Sequence, residues 1–241
     1  MRAPRLATTL AGACLLAAGC TTTVDGVAVD QAPAAVPGPV RALDTILPTS
    51  HELSATLGIA PTGLMGQLVE GGADTLLRGV EQTEATPVEC VSTTYRLQQV
   101  VYGASSVRSV ASRSWAAGTV DGPALSGFFG VVQLASPDEA ATFFATAAQH
   151  WRECDGRTME LQRGAASEQS RITDVRVDGP VVSAVVVHEA GQGSGMPIQR
   201  ALGVAGDSIV DVEITDVAGA RSGGAGGAVD VAALMLDKLT G

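Results

Sequence analysis

Residues 136–156 read SPDEAATFFATAAQHWRECDG, and this stretch decides the fold. Ser136 can accept from first-turn amides, Pro137 fits the first helical position, and Glu139 is spaced to complete a capping box. Asp138 and Glu139 put negative charge at the positive end of the helix dipole. Apolar side chains then recur at Ala140, Phe143, Phe144, Ala147, Ala148 and Trp151, the period of one buried helical face. Cys154 falls on the same side, and Gly156 suits the helix end. A long one-sided helix needs a surface to lie on, and the flanking sequence supplies strands.

Downstream, residues 158–162 alternate, and 172–177 read as a strand ending in Asp178-Gly179, a hairpin signal. Residues 181–188 form the return strand, followed by a glycine-rich loop at 191–195. Residues 198–204 and 209–214 make a second hairpin about Gly206-Asp207. A glycine-rich connector at 219–227 leads to a last amphipathic helix, 228–239. Its inward set is Val229, Ala232, Ala233, Leu236 and Leu239, with Lys238 near the C-terminal end. Upstream, 127–134 (GFFGVVQL) and 97–102 (LQQVVY) read as strands, and 107–115 as a weaker one. Residues 43–57 hold two helical patterns broken by Pro48, with Ser50 capping the second and Gly58 ending it. A short helix fits 73–77. Hairpin-joined strands with helices between and beyond them predict an α+β fold, an antiparallel β-sheet flanked by α-helices.

Composition bounds the function. The chain has 241 residues, 46% apolar and 17% charged, which is one domain or at most two small ones with a sizeable core. Only 3% are aromatic, so Val, Ala and Leu must build that core. Fifteen basic against 25 acidic residues give −10, with Lys238 the one lysine. Such a surface repels phosphate backbones, which excludes nucleic acid as a partner class. His51, His150 and His188 lie far apart from one another, and only His150 is near a cysteine, so no metal or other cofactor is expected.

The N-terminus sets the compartment. Arg2 and Arg5 precede an uncharged run, 6–18, too short to span a bilayer but suited to a signal-peptide core. Ala17-Ala18-Gly19-Cys20 resembles a bacterial lipobox, with Ala17 where a larger aliphatic residue is preferred. The expectation is cleavage after residue 19, diacylation of the Cys20 thiol, and anchoring on the extracytoplasmic face of the cell membrane. Two acyl chains give lasting attachment. The alternative is an ordinary secretory signal cut nearby. Residues 20–41, with a threonine run and Pro33, Pro37 and Pro39, read as a flexible, semi-extended tether, leaving 42–241 as the domain.

Cys14 leaves with the signal and Cys20 carries lipid, so Cys90 and Cys154 remain in an oxidising compartment. A bridge between them closes a 64-residue separation and pins the long helix to the segment around Cys90. The alternative, a redox pair or metal ligands, lacks the short spacing those chemistries favour.

Several short motifs carry a resemblance: Cys90, then 101–106 (VYGASS), 151–156 (WRECDG), 199–202 (QRAL) and 209–212 (IVDV). In this order they resemble the PknH-like extracellular sensor domain, found in the outer part of a mycobacterial serine/threonine kinase and in stand-alone mycobacterial lipoproteins. The resemblance covers roughly residues 42–240 and implies an antiparallel sheet flanked by helices, with a deep cleft for a small extracellular ligand. This chain departs from many members in lacking a second cysteine pair; Ile198 and Ile214 stand in that region, and Asp207 serves the turn in a chain without asparagine.

Three functions compete at this level. The first is a lipid-anchored sensor or ligand-binding module, with Tyr102, Ser105, Trp151 and Arg200 as candidate ligand contacts from the family-like motifs. Each has a structural alternative: Trp151 as core, Tyr102 packing at a rim, and Arg200 paired with Asp211 across the hairpin. The second is an envelope scaffold docking a basic partner protein. The third is a cell-wall hydrolase. The chain contains no GxSxG or HExxH, both remaining cysteines are committed to a bridge, and Asp211 with Glu213 is the nearest thing to a carboxylate pair. The sequence therefore reads as non-catalytic, with no catalytic residue assigned.

Overall fold

A computed structural model describes residues 41–59, 63–119, 122–189, 195–216 and 224–241. The signal peptide, Cys20, nearly all of the tether, and most of the glycine-rich stretches at 191–195 and 219–227 lie outside the described residues. In chain order the elements are α1 (Ser50–Leu57), β1 (Leu64–Met65), β2 (Val69–Gly71), β3 (Ala85–Thr86), α2 (Val91–Thr94), α3 (Gln99–Tyr102), β4 (Ser109–Thr119), β5 (Gly122–Gln133), α4 (Pro137–Cys154), β6 (Thr158–Arg163), β7 (Ala166–Asp178), β8 (Val181–Glu189), β9 (Pro197–Ala205), β10 (Ser208–Asp216) and α5 (Gly226–Thr240). The strands form one sheet in the order β1-β4-β5-β10-β9-β8-β7-β6-β3, with β2 also pairing β4. Every strand pair is antiparallel.

The two faces of the sheet carry different helices. Alternation sends Leu202 and Ile209 toward α4, and Ala201, Val210, Val212 and Ile214 toward α5. Helix α4 begins where expected: Ser136 Oγ accepts from the Glu139 amide at 3.2 Å, and Pro137 opens the helix. Its buried face is Ala140, Phe144, Ala147, Ala148, Trp151 and Cys154. Cys154 is bonded to Cys90 with their Cα atoms 5.7 Å apart, and both are fully buried. On the opposite face, α5 packs on β9 and β10 with α1 beside it. Lys238 bridges the two helices, 2.8 Å from Glu52 Oε2.

Several expectations need correction. Residues 97–102 are a turn and a short helix. Leu97 takes φ 47°, where its amide donates to Asp211 Oδ2 at 2.8 Å and its side chain presses on Gly130. A Cβ at residue 130 would come within 2.5 Å of Leu97 Cδ1, so glycine is needed in β5 for this close approach. In isolation the apolar run reads as a strand, because its split between core and a half-buried flank is set by the rest of the fold.

Thr49 caps α1, in a reciprocal box with Glu52; Ser50 is its first residue and donates to the Gly63 carbonyl. Glu139 does not close a box on Ser136. Its carboxylate takes the Ser106 and Ala135 amides, tying α4 to the end of the α3 segment. In α5 the inward set is Ala228, Val231, Ala232, Met235, Leu236 and Leu239, with Ala233 exposed. The buried stripe is rotated by about one residue from the expected one. Strands β5 and β7 run well beyond the predicted 127–134 and 172–177, and β7 carries a register shift between Thr173 and Arg176. Residues 73–75 form one 3-10 turn, within the predicted 73–77.

Candidate functional site

The segment 88–105 crosses the α4 face of the sheet as a string of short turns, and it does not lie flush against α4. Between them runs an open groove of about 650 Å3, within the usual range of small-molecule sites. Its walls are apolar where they meet, at Val88, Val100, Val101, Phe143 and Ala147. Polar groups stand along it: Glu89, Asp138 and Glu139 are acidic, with Ser92, Ser105 and His150 among them. Among the described residues no Arg or Lys lines it. Helical spacing explains the α4 contribution, since positions 139, 143, 146 and 150 recur along one stripe beside the buried face.

The candidate residues fall at three depths. Ser105 lines the groove. Tyr102 lies directly behind, 2% exposed, its ring stacked on Phe143 with centroids 4.7 Å apart. Its hydroxyl has no hydrogen-bond partner among the described residues. Burial, and then the Asp211 carboxylate, hold that phenol well above its ordinary pKa, so it stays protonated. Trp151 and Arg200 sit deeper, both fully buried. The Trp151 indole N–H donates to Ser92 Oγ at 3.1 Å.

Arg200 pairs with Asp211 at 2.9 Å, as the hairpin reading anticipated. It also donates to the carbonyls of Ser92, Thr93 and Val212 at 3.3, 3.2 and 3.2 Å. Asp211 returns the grip by accepting from Leu97 N–H. The pair therefore nails residues 92–97 to β9 and β10 and fixes the inner wall of the groove. Burial pushes the Asp211 carboxyl up, with Arg200 and the Leu97 amide opposing that.

Of the residues lining the groove, the sequence reading proposed only Ser105 as a ligand contact; Glu89, Val100, Val101, Phe143 and His150 are among those it did not find. Periodicity alone places Phe143 in the core; it is half-buried because α4 overhangs the groove. Val100 and Val101 were hidden by the strand reading.

A second polar cluster bears on hydrolysis. Glu168 Oε1 accepts from the Tyr95 hydroxyl at 2.7 Å and lies 3.0 Å from His188 Nδ1. Ser170 Oγ is 2.8 Å from the same Nδ1. A nucleophilic triad needs the hydroxyl on one ring nitrogen and the carboxylate on the other. Here both meet one nitrogen, and Ser170 is fully buried, so this is a structural network. Burial holds the His188 imidazole below its ordinary pKa, although Glu168 and Glu213 pull it upward. The Asp211 and Glu213 carboxylates are likewise engaged, the latter by Arg96 at 2.7 Å and by Arg200 at 3.9 Å. Among the described residues no group of three or more His, Cys, Asp or Glu side chains could hold a metal ion. No described helix is long and apolar enough to cross a membrane.

Comparison with known proteins places this architecture. The serine/threonine-protein kinase PknH of Mycobacterium bovis (strain ATCC BAA-935 / AF2122/97) is 29% identical over 114 residues, 45% of this chain and 17% of the kinase. PknH of Mycobacterium tuberculosis (strain ATCC 25618 / H37Rv) matches at the same identity over 16% of its length. The matched region is thus about a sixth of these relatives. The crystal structure of the extracellular domain of PknH from Mycobacterium tuberculosis superposes with a TM-score of 0.68 at 21% identity, covering 85% of this chain and 97% of that one. It shares the fold. The family model of the PknH-like extracellular domain matches residues 39–238, and this chain belongs to that family.

Proposed function

We propose that this chain is a non-catalytic sensor module, held at the extracytoplasmic face of the cell membrane by a lipid on Cys20, that binds a small extracellular ligand in the groove between α4 and residues 88–105. The observation that carries the reading is the groove itself: about 650 Å3, with apolar walls, polar groups standing along it, and the unpartnered Tyr102 hydroxyl buried behind its wall. Family membership supports the extracellular setting. The Ala17-Ala18-Gly19-Cys20 motif supports the anchor. The conversion of Ser170, His188 and Glu168 into a structural network supports binding over hydrolysis.

Native mass spectrometry of the chain purified from its own envelope tests both parts. The expected spectrum shows a polypeptide beginning at Cys20 with two acyl chains, and a small molecule released on unfolding. Val101→Trp, which fills the groove, should abolish the retained molecule and leave the acyl mass. An unacylated N-terminus overturns the anchor. Equal retention by wild type and Val101→Trp overturns the groove as the site.

A further inference from the structure

Charge is unevenly distributed along the groove of about 650 Å3. The groove follows α4 from Asp138 to His150, about 18 Å at the rise of an α-helix. At the start of α4 stand Asp138, Glu139 and Ser105. Glu139 Oε1 accepts from the Ser106 amide, which brings its carboxylate beside Ser105. Phe143 and Ala147 make the middle of the α4 wall apolar, with Val100 and Val101 on the opposite wall. The far end holds His150, Ser92 and Glu89. Glu89 is paired there with Arg157 at 3.4 Å. Among the described residues no cation balances Asp138 or Glu139 in this way. Both acids complement the α4 dipole, and Glu139 also takes the Ala135 amide, but backbone amides carry no net charge. Two unbalanced carboxylates therefore flank one end of an apolar cavity, in a chain of net charge −10.

We infer that the groove takes a cationic amphiphile, a primary ammonium on an apolar body, with the ammonium at Asp138, Glu139 and Ser105 and the body along Phe143 and Ala147. This rests on the ligand-binding reading above and names the class of ligand. Charge selects the head group. A carboxylate or phosphate end meets like charge at both ends of the groove, from Asp138 and Glu139 at one and Glu89 at the other. A neutral alcohol fits the apolar walls but gains no ion pair. A primary ammonium has three N–H donors. Asp138 is exposed, and Glu139 has committed two of its roughly four acceptor positions to backbone amides. The Ser105 hydroxyl adds an acceptor at the same end. Hydrogen bonds from an ammonium to these carboxylates are charge-assisted, about twice as strong as neutral ones. A quaternary ammonium has no N–H to give and is recognised by several aromatic faces together. Phe143 is the one aromatic side chain lining the groove among the described residues, and it stands at the middle, away from the acids.

The test uses the full chain bearing Cys20→Ser, kept free of detergent, titrated calorimetrically at low ionic strength with octylammonium, octyltrimethylammonium, 1-octanol and sodium octanoate. The expected order places octylammonium at least about fivefold tighter than 1-octanol, octyltrimethylammonium between them and octanoate weakest. Asp138→Asn with Glu139→Gln should bring octylammonium to within about twofold of 1-octanol. Should that double variant fail to fold, Asp138→Asn alone serves, because Asp138 is exposed; it should at least halve the preference, to about twofold or threefold. Asp230→Asn, an exposed acid on α5 across the sheet, should leave the preference as it is. An equal loss from Asp230→Asn makes bulk charge the cause and overturns the inference. Octylammonium no tighter than 1-octanol, or octanoate tighter than either, overturns the cationic head group but leaves the groove as a site. Binding of none, while the envelope-purified protein retains a molecule, overturns this inference alone. Binding of none with nothing retained overturns both readings.

Discussion

Replacing Arg200 with alanine tests the frame on which the groove depends. Arg200 has no exposed surface, and it contacts Asp211 at 2.9 Å and three backbone carbonyls. Removing it leaves a buried carboxylate unbalanced and those carbonyls short of a donor. Breaking such a pair from one side costs about 3–5 kcal/mol. A domain of this size is stable by only about 5–15 kcal/mol. With a urea dependence of about 2 kcal/mol per molar, the unfolding midpoint should fall by about 2 M. Urea denaturation followed by circular dichroism reads this directly. Hydrogen exchange should also show the Leu97 amide losing protection, since its acceptor is Asp211. The double variant Arg200→Met with Asp211→Asn removes both charges but keeps an acceptor for Leu97, and should recover about half of the loss. A cost below about 1 kcal/mol for Arg200→Ala, the range of an exposed pair, would show that the pair is not the pillar described.

Three further outcomes follow from the same structure. Cys90→Ala with Cys154→Ala should destabilise the chain by about 4 kcal/mol in the loop-entropy account, read as a lowered urea midpoint; an unchanged midpoint contradicts it. Ser136→Ala should cost about 1 kcal/mol through loss of the α4 cap, with Ser136→Asp restoring most of it. His188 titrates below its ordinary 6.5 because it is buried, so the folded chain binds fewer protons there than the unfolded one. Its contribution is therefore full above 6.5 and declines as pH falls from there through the folded value; His188→Gln should flatten that slope, and an NMR titration of the ring placing its pKa above 6.5 refutes it.

How much was legible in the chain can be judged at particular residues. The α4 boundary at Ser136, the turns at Gly179 and Gly206 and the left-handed Gly58 were readable, because capping and positive φ are local demands on local residues. The Arg200–Asp211 pair was readable as well, since hairpin register places the two within reach. Residues 97–102 were not. Their conformation is set by Asp211, 114 positions away, and by Gly130 in a neighbouring strand. The register of the α5 stripe was also missed, because alanine and valine on both sides of a helix leave the period ambiguous until a sheet is present to choose.

By itself, the sequence determined the α+β class, the pairing of the two interior cysteines and the acidic net charge, all consequences of patterns spanning a few residues or of bulk composition. The family too was legible, since its short motifs keep their order along the chain. Only the tertiary structure decided which side chains share a groove, that Tyr102 stacks on Phe143 behind its wall, and that Asp211 holds the Leu97 amide. Those are relations between α3, α4 and β10, elements distant in sequence. The physical reason is that burial and polar pairing depend on what the rest of the chain brings alongside, and no window of residues contains that information.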